Sequence, residues 1–263
     1  MYVWFDALSN YINALGYAEN AKDFQLYWEQ GEILHVIGKG INRFHTVYWP
    51  AMLLSAGIAL PKKIFIHGYV TVEGQKMSKT TGNVIDPVKL VEKYGTDSVR
   101  YYLLREIPAG EDGDFSYKKF EDRYNGDLAN GLGNLVARVV TLGEKISPMP
   151  VQESEDMAKE IERVRGLAQK YMGSFRFNEA LGVIWELISY GDRCINDTKP
   201  WAIKDDPSAL RRIIVGAALL IDAARKLSEP FLPETAQKIR EQIIINGKEI
   251  TIKKTGNLFP RLG

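Results

Sequence analysis

The chain has 263 residues, 45% of them hydrophobic and 25% charged, and its 34 Lys and Arg against 33 Asp and Glu leave a formal charge of +1. That balance excludes a disordered chain and a globally basic nucleic-acid coat, and the length leaves room for two hydrophobic cores. Cys194 is the single cysteine, which rules out an intrachain disulfide and a cysteine-based zinc site. No window approaches 18 uncharged apolar residues, and no basic segment leads into a long apolar core, so a cytoplasmic location without a membrane partner is expected.

In chain order, Tyr2-Val3-Trp4-Phe5 reads as a short buried strand, with Asp6 capping a helix through Leu15. Residues 16–31 read as a connection. Ile33 to Ile37 is a second strand, closed by Gly38-Lys39-Gly40; a helix from Asn42 to Ala56 and a third strand from Ile64 to Ile66 follow. Strands and helices alternating at this spacing predict a parallel α/β sheet, whose ligands sit beyond the carboxyl ends of the strands. Tyr69 to Val72 is another short apolar run, followed by a turn at Glu73-Gly74. Asp86 as N-cap and Pro87 at the first helical position open a helix that Gly95 stops at Tyr94, and Thr96 caps the next one to about Arg105. Pro108-Ala109-Gly110-Glu111-Asp112-Gly113 then breaks the pattern.

The remainder reads as helices over 117–145, 155–174, 177–197 and 207–228, with a shorter one from Pro233. Tyr124, Leu128, Leu132, Leu135 and Val139 recur every three or four residues in the first, and Leu210, Ile213, Ile214, Ala217, Ile221 and Ala224 do so in the fourth. Such faces predict a helical bundle. Ile243 to Ile245, Asn246-Gly247 and Ile250 to Ile252 suggest a terminal hairpin turning on Asn-Gly.

Between the turn at Glu73-Gly74 and the helix at Pro87 lies Lys76-Met77-Ser78-Lys79-Thr80-Thr81-Gly82-Asn83. Two lysines three residues apart, small hydroxyl side chains and a glycine suit a mobile loop that closes over a polyphosphate, because ammonium groups can follow charge onto departing oxygens. A lysine pair at this spacing also fits an ordinary solvated loop. Local charge supports a phosphate-bearing partner at two places: residues 76–105 carry six bases against three acids, and residues 236–263 carry six against two.

Lys76-Met77-Ser78-Lys79-Thr80 closely resembles the KMSKS signature of class I aminoacyl-tRNA synthetases, with Thr in the last place. The runs Trp4-Phe5-Asp6-Ala7-Leu8-Ser9-Asn10-Tyr11, His35 to His45, Tyr48-Trp49-Pro50-Ala51 and His67-Gly68-Tyr69 resemble methionyl-tRNA synthetases in order and spacing, and the likeness continues to Leu258-Phe259-Pro260-Arg261. The resemblance implies half of a Rossmann-type nucleotide-binding sheet over residues 1–73, a signature-loop and connecting helical region over 74–115, and an all-α, anticodon-binding helical domain over 116–263. It implies a catalytic set of Lys79, Lys76 and Ser78, with Lys76, Met77 and Lys79 on ATP. It implies a methionine pocket of Trp4, Ala7, Tyr11, Ile41, His45 and Trp49, and anticodon-binding positions at Asn134, Arg138 and Trp201.

A thioether offers little to hydrogen-bond, so recognition by shape and sulfur–aromatic contact is chemically sensible. Arg123, Asp127, Asn130, Asn134 and Arg138 also cluster on one side of a helical wheel drawn at about 100° per residue, which fits either a solvated face or an RNA-reading one.

By the same resemblance the substrates are L-methionine, ATP with Mg2+ and tRNA(Met), and no zinc is bound. Two features depart from the family pattern. The H-I-G-H signature, which relatives place ahead of the sheet half seen here, is absent, and Gly40 stands where relatives usually carry Asp. The expectation is therefore the C-terminal portion of a methionine–tRNA ligase, inactive alone, that either pairs with a separate N-terminal catalytic chain or is a truncation. The alternatives are a non-catalytic tRNA-binding module and a sister synthetase for another amino acid.

Overall fold

The computed structural model describes residues 3–78, 80, 82–152 and 154–263. The chain forms two compact units, one of Met1–Tyr69 with Gly110–Gly113 and one of Val70–Ala109 with Asp114–Gly263.

In the first unit, α1 (Val3–Asn13) occupies the stretch expected to begin as a strand. Its Leu8 and Ile12 are buried, Trp4 and Leu15 pack beside them, and Val3 and Phe5 face outward. The apolar positions thus follow a helical period, and Asp6 lies inside the first turn rather than ahead of it. The connection holds a π-helical turn, Phe24–Glu29, whose Phe24 and Trp28 enter the core. Two parallel strands follow, β1 (Leu34–Gly38) and β2 (Lys63–His67), in register from Leu34 opposite Lys63 to Gly38 opposite His67. Between them, the helix expected from Asn42 is broken into a 3-10 turn (Lys39–Ile41), a π-helical turn (Phe44–Tyr48) and α2 (Trp49–Ser55). Pro50 lacks an N–H and tolerates only the start of an α-helix, so the regular part begins there.

The second unit opens with β3 (Val70–Val72) and β4 (Gln75–Lys76), joined by Glu73 and Gly74, both at positive φ as a two-residue hairpin turn requires. β5 (Gly113–Phe115) lies on the other side of β3. α3 (Pro87–Tyr94) starts as expected: Asp86 Oδ1 accepts from the Val88 and Lys89 amides. Gly95, rather than Thr96, is the N-cap of α4 (Thr96–Glu106). Helix α4 is tied to the bundle: Asp97 Oδ2 accepts from the Thr235 amide at 2.6 Å, and Arg100 donates to the carbonyls of Pro230 and Phe231.

The bundle comprises α5 (Tyr117–Arg123), a ten-residue π-helical segment (Tyr124–Gly133), α6 (Asn134–Gly143), α7 (Glu155–Gly173), α8 (Phe177–Thr198), α9 (Pro207–Ser228) and α10 (Pro233–Gln242). The periodic residues of the first predicted helix are buried as expected. Its π-helical middle is supported from outside, since the Trp185 indole donates to the Asp127 carbonyl. The closing sheet pairs β6 (Met149–Pro150) and β7 (Ile243–Asn246) with β8 (Glu249–Ile252). Its hairpin turns on Gly247-Lys248, because Asn246 pairs with Glu249 and only Gly247 has positive φ. No helix among the described residues is long and apolar enough to cross a membrane.

Candidate functional site

In the first unit, the residues expected to hold methionine converge, Ala7 excepted. The Tyr11 hydroxyl lies 2.9 Å from His45 Nε2, and His45 Nδ1 lies 3.0 Å from the Ile41 carbonyl. A carbonyl only accepts, so Nδ1 carries a proton and donates to Ile41, and Nε2 faces the Tyr11 hydroxyl. The Trp4 ring meets the His45 ring edge-on at 6.4 Å and stacks on Phe44 at 4.0 Å. Tyr11 also approaches Trp49 at 6.0 Å. His45 and Trp49 are each 1% exposed and Tyr11 is 40% exposed, so the cluster has a buried floor and one accessible tyrosine. Ala7 is exposed on α1 between Trp4 and Tyr11. A separate apolar cleft of about 580 Å³, bounded by Trp4, Phe5, Leu8, Tyr48, Ala51 and Met52, shares only Trp4 with this set.

His35, whose role the sequence reading left blank, sits at the centre. It accepts the Trp49 indole N–H at 3.1 Å and meets the Tyr11 ring at 4.6 Å. Its inward place in the alternating burial of β1 is the signal that could have found it. Burial, and then the neighbouring His45, hold the His35 imidazole below its ordinary value. Because its folded value is depressed, the unfolded chain takes up this proton first as pH falls. The stabilisation it represents is whole above about pH 6.5 and is lost below it. The denaturation midpoint of the first unit is therefore expected to drop between about pH 7.5 and about pH 5.5. His35→Gln, which can still accept from Trp49, should flatten that slope; an unchanged slope in the variant would remove His35 as its cause.

In the second unit, Lys76 leaves β4 exposed, and Met77 packs against the core. Asn83 staples the loop shut: its Oδ1 accepts the Ser78 amide at 2.9 Å and its Nδ2 donates to the Lys76 carbonyl at 3.2 Å. Ser78 Oγ accepts from the Thr80 amide. Lys79, expected as the main phosphate ligand, lies outside the described residues. The tendency of Asn to bond nearby backbone in turns was the available clue to Asn83.

Of the polar wheel on the first bundle helix, Arg123 and Asp127 turn to protein partners. Arg123 bridges Glu106 at 2.6 Å and Asp127 at 3.1 Å, and Asp127 also accepts the buried Tyr101 hydroxyl at 2.7 Å. The wheel assumed α-helical spacing, whereas this segment is π-helical with i→i+5 bonds. Asn130 and Asn134 are exposed. Arg138 and Trp201 come together: the guanidinium carbon lies 4.8 Å from the centre of the indole, which is 51% exposed on the turn Pro200–Ala202. Asp192 at 2.9 Å and Asn196 at 2.8 Å hold the guanidinium in place from α8. The result is a rigid cationic-aromatic platform of the kind on which an unpaired base stacks. Arg240 and Lys253, from the basic C-terminal stretch, line a second groove with Arg225 and Lys226, where Asp222 and Glu241 offset part of the charge. Among the described residues no group of His, Cys, Asp and Glu could hold a metal ion.

Residues 1–140 match the family described as tRNA synthetases class I (M), and residues 146–257 match the anticodon binding domain of methionyl tRNA ligase. The chain is therefore a class I aminoacyl-tRNA synthetase sequence. It is 44% identical to the methionine–tRNA ligase of Caldanaerobacter subterraneus, all of this chain aligning with 45% of that protein, and 39% identical to that of Bacillus subtilis, aligning with 43%. Among solved structures, Mycobacterium tuberculosis methionyl-tRNA synthetase in complex with methionyl-adenylate superposes with a TM-score of 0.89 at 36% identity, over 99% of this chain and 56% of that one. The chain belongs to the methionyl-tRNA synthetase family. It spans about half the length of the curated relatives it matches.

Proposed function

We propose that this chain supplies the second half of the catalytic domain and the anticodon-binding domain of a methionine–tRNA ligase. The reaction joins the methionine carboxylate to the α-phosphate of ATP with release of pyrophosphate, then passes the aminoacyl group to tRNA(Met) with release of AMP. The carrying observation is the convergence of Trp4, Tyr11, Ile41, His45 and Trp49 on one aromatic cluster, a surface suited to a thioether. In this reading Lys79 and Lys76 neutralise the departing pyrophosphate, with Ser78 and Met77 holding the loop and Mg2+ arriving with ATP. No zinc belongs to these residues. Asn134, Arg138 and Trp201 read the anticodon. Residues 1–73 form the second half of the catalytic sheet domain, 74–115 the signature loop and its connecting helices, and 116–263 the anticodon-binding domain.

Activity needs the H-I-G-H-bearing half as well, supplied by an N-terminal partner chain or by a longer form of the same polypeptide. The test is methionine-dependent ATP–pyrophosphate exchange, on the chain alone and after adding that region of a relative as a separate polypeptide. Exchange only on addition is the expected result. A rate from the chain alone that matches the reconstituted mixture would refute its incompleteness. Failure of both, with tRNA carrying the methionine anticodon still bound, would favour a non-catalytic tRNA-binding module, the reading that Gly40 in place of Asp supports. In the active mixture, Asn83→Ala removes two bonds that shape the signature loop, each worth about 1 kcal/mol. Exchange should fall roughly tenfold with the melting temperature lowered by only a few degrees, and an unaltered rate would show that the staple has no part in catalysis.

A further inference from the structure

Gly40 follows the carboxyl end of β1, and Tyr69 follows that of β2, both within the first unit. A Cβ placed on Gly40 would lie 2.2 Å from the Tyr69 hydroxyl and 3.4 Å from the ring carbon that bears it. The phenol therefore fills the space a side chain at position 40 would take. Its ring is held on one face by Lys39, and its backbone by Asp112 and Gly113. Lys39 Nζ lies 4.7 Å from the ring centre, and Asp112 accepts both from the Tyr69 amide at 2.8 Å and from Lys39 Nζ. The Gly113 amide donates to the Tyr69 carbonyl. The Asp112 carboxyl is held below its usual range by Lys39 first and by the Tyr69 amide second, so this clamp stays charged at neutral pH. Yet the side chain it secures is 49% exposed, and its hydroxyl makes no hydrogen bond among the described residues.

A half-exposed phenol held this firmly, with an unspent hydroxyl beyond the ends of two parallel strands, stands where such sheets place ligands. We infer that Tyr69, through the gap left by Gly40, contacts the ribose-phosphate part of ATP. This rests on the ligase reading above. A neutral hydroxyl both donates and accepts, so it can meet a ribose hydroxyl without setting a negative charge against the phosphates.

The test is calorimetric titration of the full chain with MgATP and, separately, with methionine. Tyr69→Phe keeps the ring and its Lys39 contact but removes the hydroxyl; Gly40→Ala drives the hydroxyl out of its place. Each is expected to weaken MgATP binding about tenfold while methionine binding stays within about twofold. Because both act through one hydroxyl, the double variant should be no weaker than the worse single variant. A purely structural pairing predicts otherwise: Tyr69→Phe would be silent and Gly40→Ala would lower thermal stability, and that outcome overturns the inference. If the wild-type chain binds methionine but not MgATP, the inference fails while the methionine pocket stands. If it binds neither, alone or after the H-I-G-H-bearing region of a relative is added, the ligase reading itself fails and takes the inference with it.

Discussion

A His45→Ala chain is expected to bind methionine at least about 100-fold more weakly than the wild type. The imidazole is almost wholly buried between the Ile41 carbonyl and the Tyr11 hydroxyl. Removing it opens a cavity beside Trp4, leaves the Ile41 carbonyl without its side-chain partner and frees the Tyr11 ring, so the aromatic surface offered to the thioether is lost. Tyr11→Phe deletes one bond and leaves the ring in place, so it should cost only about threefold to tenfold. Tryptophan fluorescence on titration with methionine reads both variants, and circular dichroism checks that they fold. Wild-type affinity in His45→Ala would take His45 out of the site. Binding of a different amino acid in preference to methionine would instead point to a sister synthetase.

The second large effect belongs to Trp201. Stacking of an unpaired base on an aromatic ring is worth about 1–3 kcal/mol, so Trp201→Ala should weaken binding of tRNA carrying the methionine anticodon by about 5-fold to 150-fold. With half its surface in solvent and its indole on a turn outside the core, its loss should leave the melting temperature nearly unmoved. A tRNA with an altered anticodon should lose far less than the cognate one. Equal losses for both would show that Trp201 contributes general affinity and reads no base. Arg138→Ala should act in the same direction, because the guanidinium held by Asp192 and Asn196 fixes one face of the platform.

Much of this architecture is readable from local rules. Asp86 and Pro87 announce α3, and the apolar period of residues 124–139 announces a buried face, because caps and periodicity act within a few residues. The first strand was misread for a related reason. Val3, Trp4 and Phe5 are good strand formers, and only Leu8, Ile12 and Leu15 downstream reveal the helical spacing that wins. The π-helical segment at 124–133 was invisible, since its wider turn depends on Trp185, some sixty residues away, donating to the freed carbonyl of Asp127. The hairpin turn slipped by one residue because the pairing of Asn246 with Glu249 leaves Gly247 as the first residue of the turn.

At the candidate sites, Trp4, Tyr11, Ile41, His45 and Trp49 lie together, as do Arg138 and Trp201, while Ala7 and Asn134 do not join them and the supporting residues did not show in the pattern. His35, Asp192 and Asn196 act by holding other side chains, and their partners are distant in sequence. Arg123 and Asp127 went the other way: they share the wheel with Asn134 and Arg138, yet Glu106 and Tyr101 claim them for the interior of the fold.

The hairpin carrying Lys76 and the helices carrying Arg138 grow from a single apolar core, which runs from Val72, Leu90 and Tyr94 through Leu135 and Ile184 to Ile250 and Leu258. Helix α4 adds its own clasps on the loop between α9 and α10 and on the first turn of α10. A core without an internal seam melts cooperatively. On the proposed function, the loop of Lys76 and the platform of Arg138 and Trp201 therefore share one fate: heat that unfolds the core beneath the first unfolds it beneath the second.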